Sequence, residues 1–117
     1  MESEVGKQDV GEVVIDFVGG GKEAIGLVRG VFDQEEIIEG KAFSGSYTVS
    51  VILGTVGVGL RKFVDFWSLH RTQFKDARLK IGKDDVSLQG YSVEELKNIL
   101  DTGHIETILK LLKTSKK

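Results

Sequence analysis

The chain is 117 residues long, with 16 basic and 18 acidic residues, no cysteine and no proline. That length suits a single domain, residues 1–117, with one real core. The missing thiols exclude a disulfide framework and a cysteine nucleophile. Charge is unevenly spread: residues 1–40 hold ten acids against Lys7, Lys22 and Arg29, so the remainder is net basic. Two solvated faces, head-to-tail association, or a basic side turned to anionic lipid all fit this asymmetry. No nucleic-acid partner is expected, because the bases do not cluster with stacking aromatics. The opening Met1–Val10 is acidic and polar, the opposite of a secretory leader. A cytoplasmic location is therefore expected, with membrane association left open by a segment further on.

Taken in order, Glu12–Val18 is rich in β-branched residues and predicts a strand ended by Gly19-Gly20-Gly21. A helix is expected over Lys22 to about Phe32, with Ala24, Ile25, Val28 and Val31 near one face. Asp33–Glu39 reads as an extension of that helix or a second one, stopped by Gly40.

Ala42–Leu60 carries no charge and ends abruptly at Arg61-Lys62. It has about the roughly 20 residues that cross a hydrocarbon core as a helix. Ser46, Ser50 and Gly54 recur at the four-residue spacing that lets helix backbones approach closely, and Leu53 lies mid-span. A membrane helix or a packing helix is one reading. The alternative is a strand over Tyr47–Leu53, favoured by its β-branched run, followed by a glycine-rich turn. Leu60, Phe63, Val64 and Trp67 then mark an amphipathic helix. Its aromatic edge, Phe63, Phe66 and Trp67, serves either as an anchor in an ordinary core or as an interfacial belt.

In the last third, Ala77–Gly82 and Val86–Gln89 alternate apolar and polar residues about Lys83-Asp84-Asp85, predicting a hairpin with one solvated face. Ser92 and Glu95 form a capping box ahead of Val93, Leu96, Ile99 and Leu100, and Gly103 closes that helix. His104–Lys113 predicts one more helix. The fold class expected is α+β: a small sheet including this hairpin, packed with helices.

No catalytic constellation assembles. Gly19-Gly20-Gly21-Lys22 lacks the spacing and terminal Ser/Thr of a P-loop and reads better as a strand-to-helix turn. His70 and His104 have no metal-ligand spacing around them. Asp84-Asp85 reads as turn chemistry. No catalytic residue, metal or cofactor is assigned.

Over about Val51–Leu100 the layout is similar to a known family. The glycine-rich apolar segment, the helix ending in Trp-x-x-x-Arg (Trp67 to Arg71), the short hairpin turning at an acidic residue and the capped Glu-Glu-Leu-x-x-x-Leu helix (Glu94 to Leu100) resemble the effector-associated constant component family of bacterial conflict systems. That resemblance implies a small non-enzymatic component working beside separately encoded effectors or proteases. The function expected is an adaptor acting through protein–protein contacts, possible membrane attachment being the open point. The alternative is an α+β assembly subunit that self-associates as an oligomer.

Overall fold

Strict alternation organises the first strand: Val13, Ile15 and Phe17 are buried, while Val14 and Val18 on the opposite side are half-buried. The computed structural model describes residues 12–33, 35–41, 47–102 and 104–115. Its elements are β1 (Val13–Gly20), α1 (Lys22–Val31), β2 (Glu36–Lys41), β3 (Tyr47–Leu53), α2 (Val56–His70), β4 (Asp76–Ile81), β5 (Asp84–Ser87), α3 (Val93–Leu100) and α4 (Ile105–Ser115). A single 3-10 turn, Arg71–Gln73, joins α2 to β4. The fold is α+β, with a five-stranded sheet of order β2-β3-β1-β4-β5 in which every pairing is antiparallel.

Register aligns the inward residues of the three central strands. Val13 stands between Leu53 and Ile81, Ile15 between Val51 and Leu79, and Phe17 between Val49 and Ala77, all of them buried. The helices cover this face. Phe17 lies at the centre of an aromatic cluster, with ring centroids 5.9 Å from Phe32, 5.7 Å from Phe63, and 5.3 Å from both Phe66 and Phe74. Burial of this inner face against the helices is the main favourable term of the fold.

Each helix has a local reason to form. Ser92 caps α3 by accepting from the Glu95 N–H at 3.0 Å, while Glu95 accepts from the Ser92 N–H at 2.9 Å, a complete capping box. Leu96 and Leu100 give α3 its buried stripe, and Ile108 and Leu112 do so for α4. The Tyr91 hydroxyl donates to the Leu112 carbonyl, tying the start of α3 to α4. On α2, Gly59 lets the helix settle on the end of β3, because a Cβ there would sit 2.5 Å from Leu53 Cδ2.

Three expectations need correction. Residues 47–60 form neither a membrane helix nor a packing helix: they are strand β3, a turn at Gly54-Thr55 and the first turns of α2. No helix among the described residues is long and apolar enough to cross a membrane. The alternation of Val49, Val51 and Leu53 inward with Thr48, Ser50 and Ile52 outward decided for the strand. The small-residue ridge goes with it: Ser50 is on a strand, Gly54 is in a turn, and Ser46 lies outside the described residues.

The second correction is β2, where a helix was expected over Asp33–Glu39. Pairing with β3 overrode local preference, setting Ile37 opposite Val51 and Glu39 opposite Val49. The third is the hairpin turn, which falls at Gly82-Lys83, leaving Asp84 and Asp85 in β5. Gly82 has φ +59°, the left-handed conformation that such a tight turn demands.

Candidate interaction surface

The face of the sheet turned away from the helices carries three rows of side chains. One row runs Glu36, Ile52, Val14, Lys80, Asp85; the next Ile38, Ser50, Asp16, Arg78, Ser87; the third Gly40, Thr48, Val18, Asp76. Antiparallel sheets commonly leave one face to water, and such a face is ordinarily polar throughout. Here it is divided. Its β2-β3-β1 side offers Ile38, Ile52, Val14 and Val18, of which Ile38 is 53% exposed.

The β1-β4-β5 side holds charges that are fixed against one another. Asp16 is only 5% exposed, accepts a 2.6 Å hydrogen bond from Ser50 Oγ, and lies 2.8 Å from Lys80 Nζ. Arg78 donates from Nε to Asp85 at 2.7 Å and from Nη1 to Asp76 at 3.1 Å. Ser87 Oγ donates to the other oxygen of Asp76 at 2.8 Å. A nearly buried carboxylate such as Asp16 is tolerable only with partners of this kind. The hydrogen bond that Arg78 donates to Asp85, and that carboxylate's charge, raise the pKa of the guanidinium above its ordinary value. Lys80 is likewise raised, first by its hydrogen bond to Asp16 and then by that carboxylate's charge.

The result is a surface that is apolar on one side and, on the other, an ion-paired network of three carboxylates on two cations. Its two serine hydroxyls, Ser50 and Ser87, are each held as donors to a carboxylate, Asp16 and Asp76. Among the described residues no group of three or more His, Asp or Glu side chains is placed to hold a metal ion.

A separate concave feature is the seam between α2 and α3, which run antiparallel: Arg71 at the end of α2 reaches Tyr91 at the start of α3, and Leu60 and Leu100 line the other end together. It encloses about 380 Å³ over a floor of Leu60, Val64 and Leu100. Arg61, Asp65, Lys97 and Asp101 form its rim, two charges of each sign. No buried polar group points into it to orient a ligand, so it lacks the convergent donors and acceptors of a small-molecule site.

The residues singled out from the sequence are scattered. Ser50 belongs to the uncovered face through its bond to Asp16, whereas Leu53 is buried on the opposite face. Gly54 is exposed in a turn, and its N–H donates to Glu35 at 2.7 Å. Phe63, Phe66 and Trp67 are core residues, which overturns the interfacial-belt reading. The Trp-x-x-x-Arg pair acts as a structural latch: Arg71 Cζ lies 5.9 Å from the Trp67 ring centroid, and Nη2 donates to the carbonyls of Gln89 and Tyr91 at 3.4 and 3.3 Å. Gly19 and Gly20 fall inside β1, with a register shift between Val18 and Gly20, and Gly21 is the N-cap of α1.

Sequence reasoning missed Asp16, Asp76 and Ile38. Asp16 was legible as the one charge among outward residues of a strongly apolar strand. Ile38 was hidden by the helical reading of its segment.

No family model, curated protein or solved structure matches this chain.

Proposed function

We propose that this protein is a non-enzymatic interaction component that binds a protein partner on the uncovered face of its sheet. The observation that carries this reading is the division of that face into an apolar strip and a hydrogen-bonded ion-pair network. Such a surface can bury Ile52, Val14 and Val18 against a partner beside charges that are already paired, Asp16 with Lys80 and both Asp76 and Asp85 with Arg78, while Glu36 stands at the outer end of its row. The resemblance to the effector-associated constant component family that remains, in the helix ending at Trp67 to Arg71 and the capped Glu94 to Leu100 helix, supports a place beside separately encoded effectors of a bacterial conflict system.

The test is capture of a co-expressed partner by tagged protein. Ile52→Lys should abolish capture while leaving the circular dichroism spectrum and melting temperature near wild type. Leu69→Lys, on the helical side where Leu69 is 75% exposed, should leave capture intact. Undiminished capture by folded Ile52→Lys would reject the sheet face.

A second reading, a self-associating assembly subunit, is favoured by the position of β2 as the terminal strand of the sheet.

A further inference from the structure

The outer edge of β2 is a row of backbone donors and acceptors with no paired strand among the described residues. Proteins usually blunt such an edge with a proline, a bulge, a very short strand or charged side chains, and of these β2 has only charge, which includes Glu36 and a Glu39 that is paired with Arg29. This chain contains no proline, β2 is six residues long, and its register with β3 is unbroken from Glu36 to Lys41. At its middle stands Ile38, apolar and 53% exposed. The opposite edge strand, β5, is shorter at four residues and tied to α4 by the Lys113–Asp84 ion pair.

We propose that β2 pairs antiparallel with β2 of a second copy about a two-fold axis at Ile38, joining two five-stranded sheets into one of ten strands. This deepens the self-association reading and rests on it.

Register follows from charge. Opposed residues in an antiparallel pair project from the same face, so a two-fold axis can pass through residue 37, 38 or 39 but not between them. An axis at Glu39 sets that carboxylate against its own copy. An axis at Ile37 pairs only Glu36–Ile38 within the strand and brings Glu39 of the second copy beside Glu35, which precedes β2 and accepts from the Gly54 N–H. Like charges directly opposite are destabilising. The axis at Ile38 avoids both: Ile38 meets Ile38 of the second copy, Ile37 meets Glu39, and Glu36 meets Gly40. Glu39 enters this arrangement already neutralised by Arg29 of α1. The pairing gives every outward N–H and C=O of the edge a partner and covers the exposed Ile38 with its equivalent.

The chain has no cysteine, so a single introduced thiol reports position cleanly. Wild type should sediment as a dimer, and Ile38→Lys should sediment as a monomer with an unchanged circular dichroism spectrum. Ile38→Cys treated with a short bis-maleimide should give covalent dimers, and Leu69→Cys on α2 should give none. A dimeric wild type whose Ile38→Cys variant does not cross-link, or cross-links no better than Leu69→Cys, would overturn the edge pairing while leaving self-association standing. A wild type that sediments as a monomer at all accessible concentrations would overturn both.

Discussion

Trp67 shows how one side chain can be a structural keystone and a local fault together. It is fully buried, stacked on Phe63 at 5.6 Å, and capped by Arg71, yet its indole N–H has no hydrogen-bond partner among the described residues. Leaving a buried donor unpaired costs about 1–3 kcal/mol, which the ring's packing must exceed. Trp67→Ala should destabilise by about 3–5 kcal/mol, whereas Trp67→Phe keeps much of the packing and removes the orphan donor, so its loss should be clearly smaller. Equal losses in urea melts would show that ring burial is not what Trp67 contributes.

A second residue-scale consequence concerns alkaline pH. Lys80 is raised above its ordinary value of 10.5 by Asp16, so the folded protein holds that proton more tightly than the unfolded chain. Its contribution is complete below the ordinary value and is lost as pH rises through the raised one. Tyr91 adds to the same trend, raised above 10.0 by burial and then by Glu95. Wild type should therefore lose stability as pH climbs past about 10, and Lys80→Met should lose less over the same range. Parallel stability curves for the two proteins would contradict the Lys80–Asp16 linkage.

At the scale of elements, legibility in the sequence followed how local each signal was. The capping box of α3 was readable because Ser92 and Glu95 recognise one another across a single turn, and Ser92→Ala should cost about 1 kcal/mol in a thermal or urea melt. No loss there would mean the cap bonds merely accompany a helix held by Leu96 and Leu100. The β4–β5 hairpin was readable for the same reason: Leu79, Ile81, Val86 and Leu88 alternate and all are buried. Its turn was misplaced because Gly82 was counted with the strand although its backbone is left-handed. β2 was not legible, since Glu36-Ile-Ile-Glu39 fits a helical face equally well and only partnership with β3, distant in sequence, settles it. Residues 47–60 were ambiguous because length and lack of charge describe a membrane helix and a buried strand alike; the alternation at Val49, Val51 and Leu53 was the deciding pattern.

For the whole molecule, the arrangement of layers bears most directly on function. Helices on one face leave β1, at the centre of the sheet, with one side in the core and the other in the Asp16 network. That uncovered face was only half visible in the sequence. Its charged side follows from the outward positions of Arg78 and Lys80 in the hairpin, but its apolar side needs β2 and β3 in register. The central proposal is that a protein partner binds this face and not the outer surface of the helices. Site-specific photocross-linking in the native host tests it most directly, with p-benzoylphenylalanine placed at Thr48 on the sheet face or at Leu69 on α2. The account predicts a discrete higher-mass adduct from position 48 and none from position 69. An adduct from position 69 with none from position 48 would contradict it.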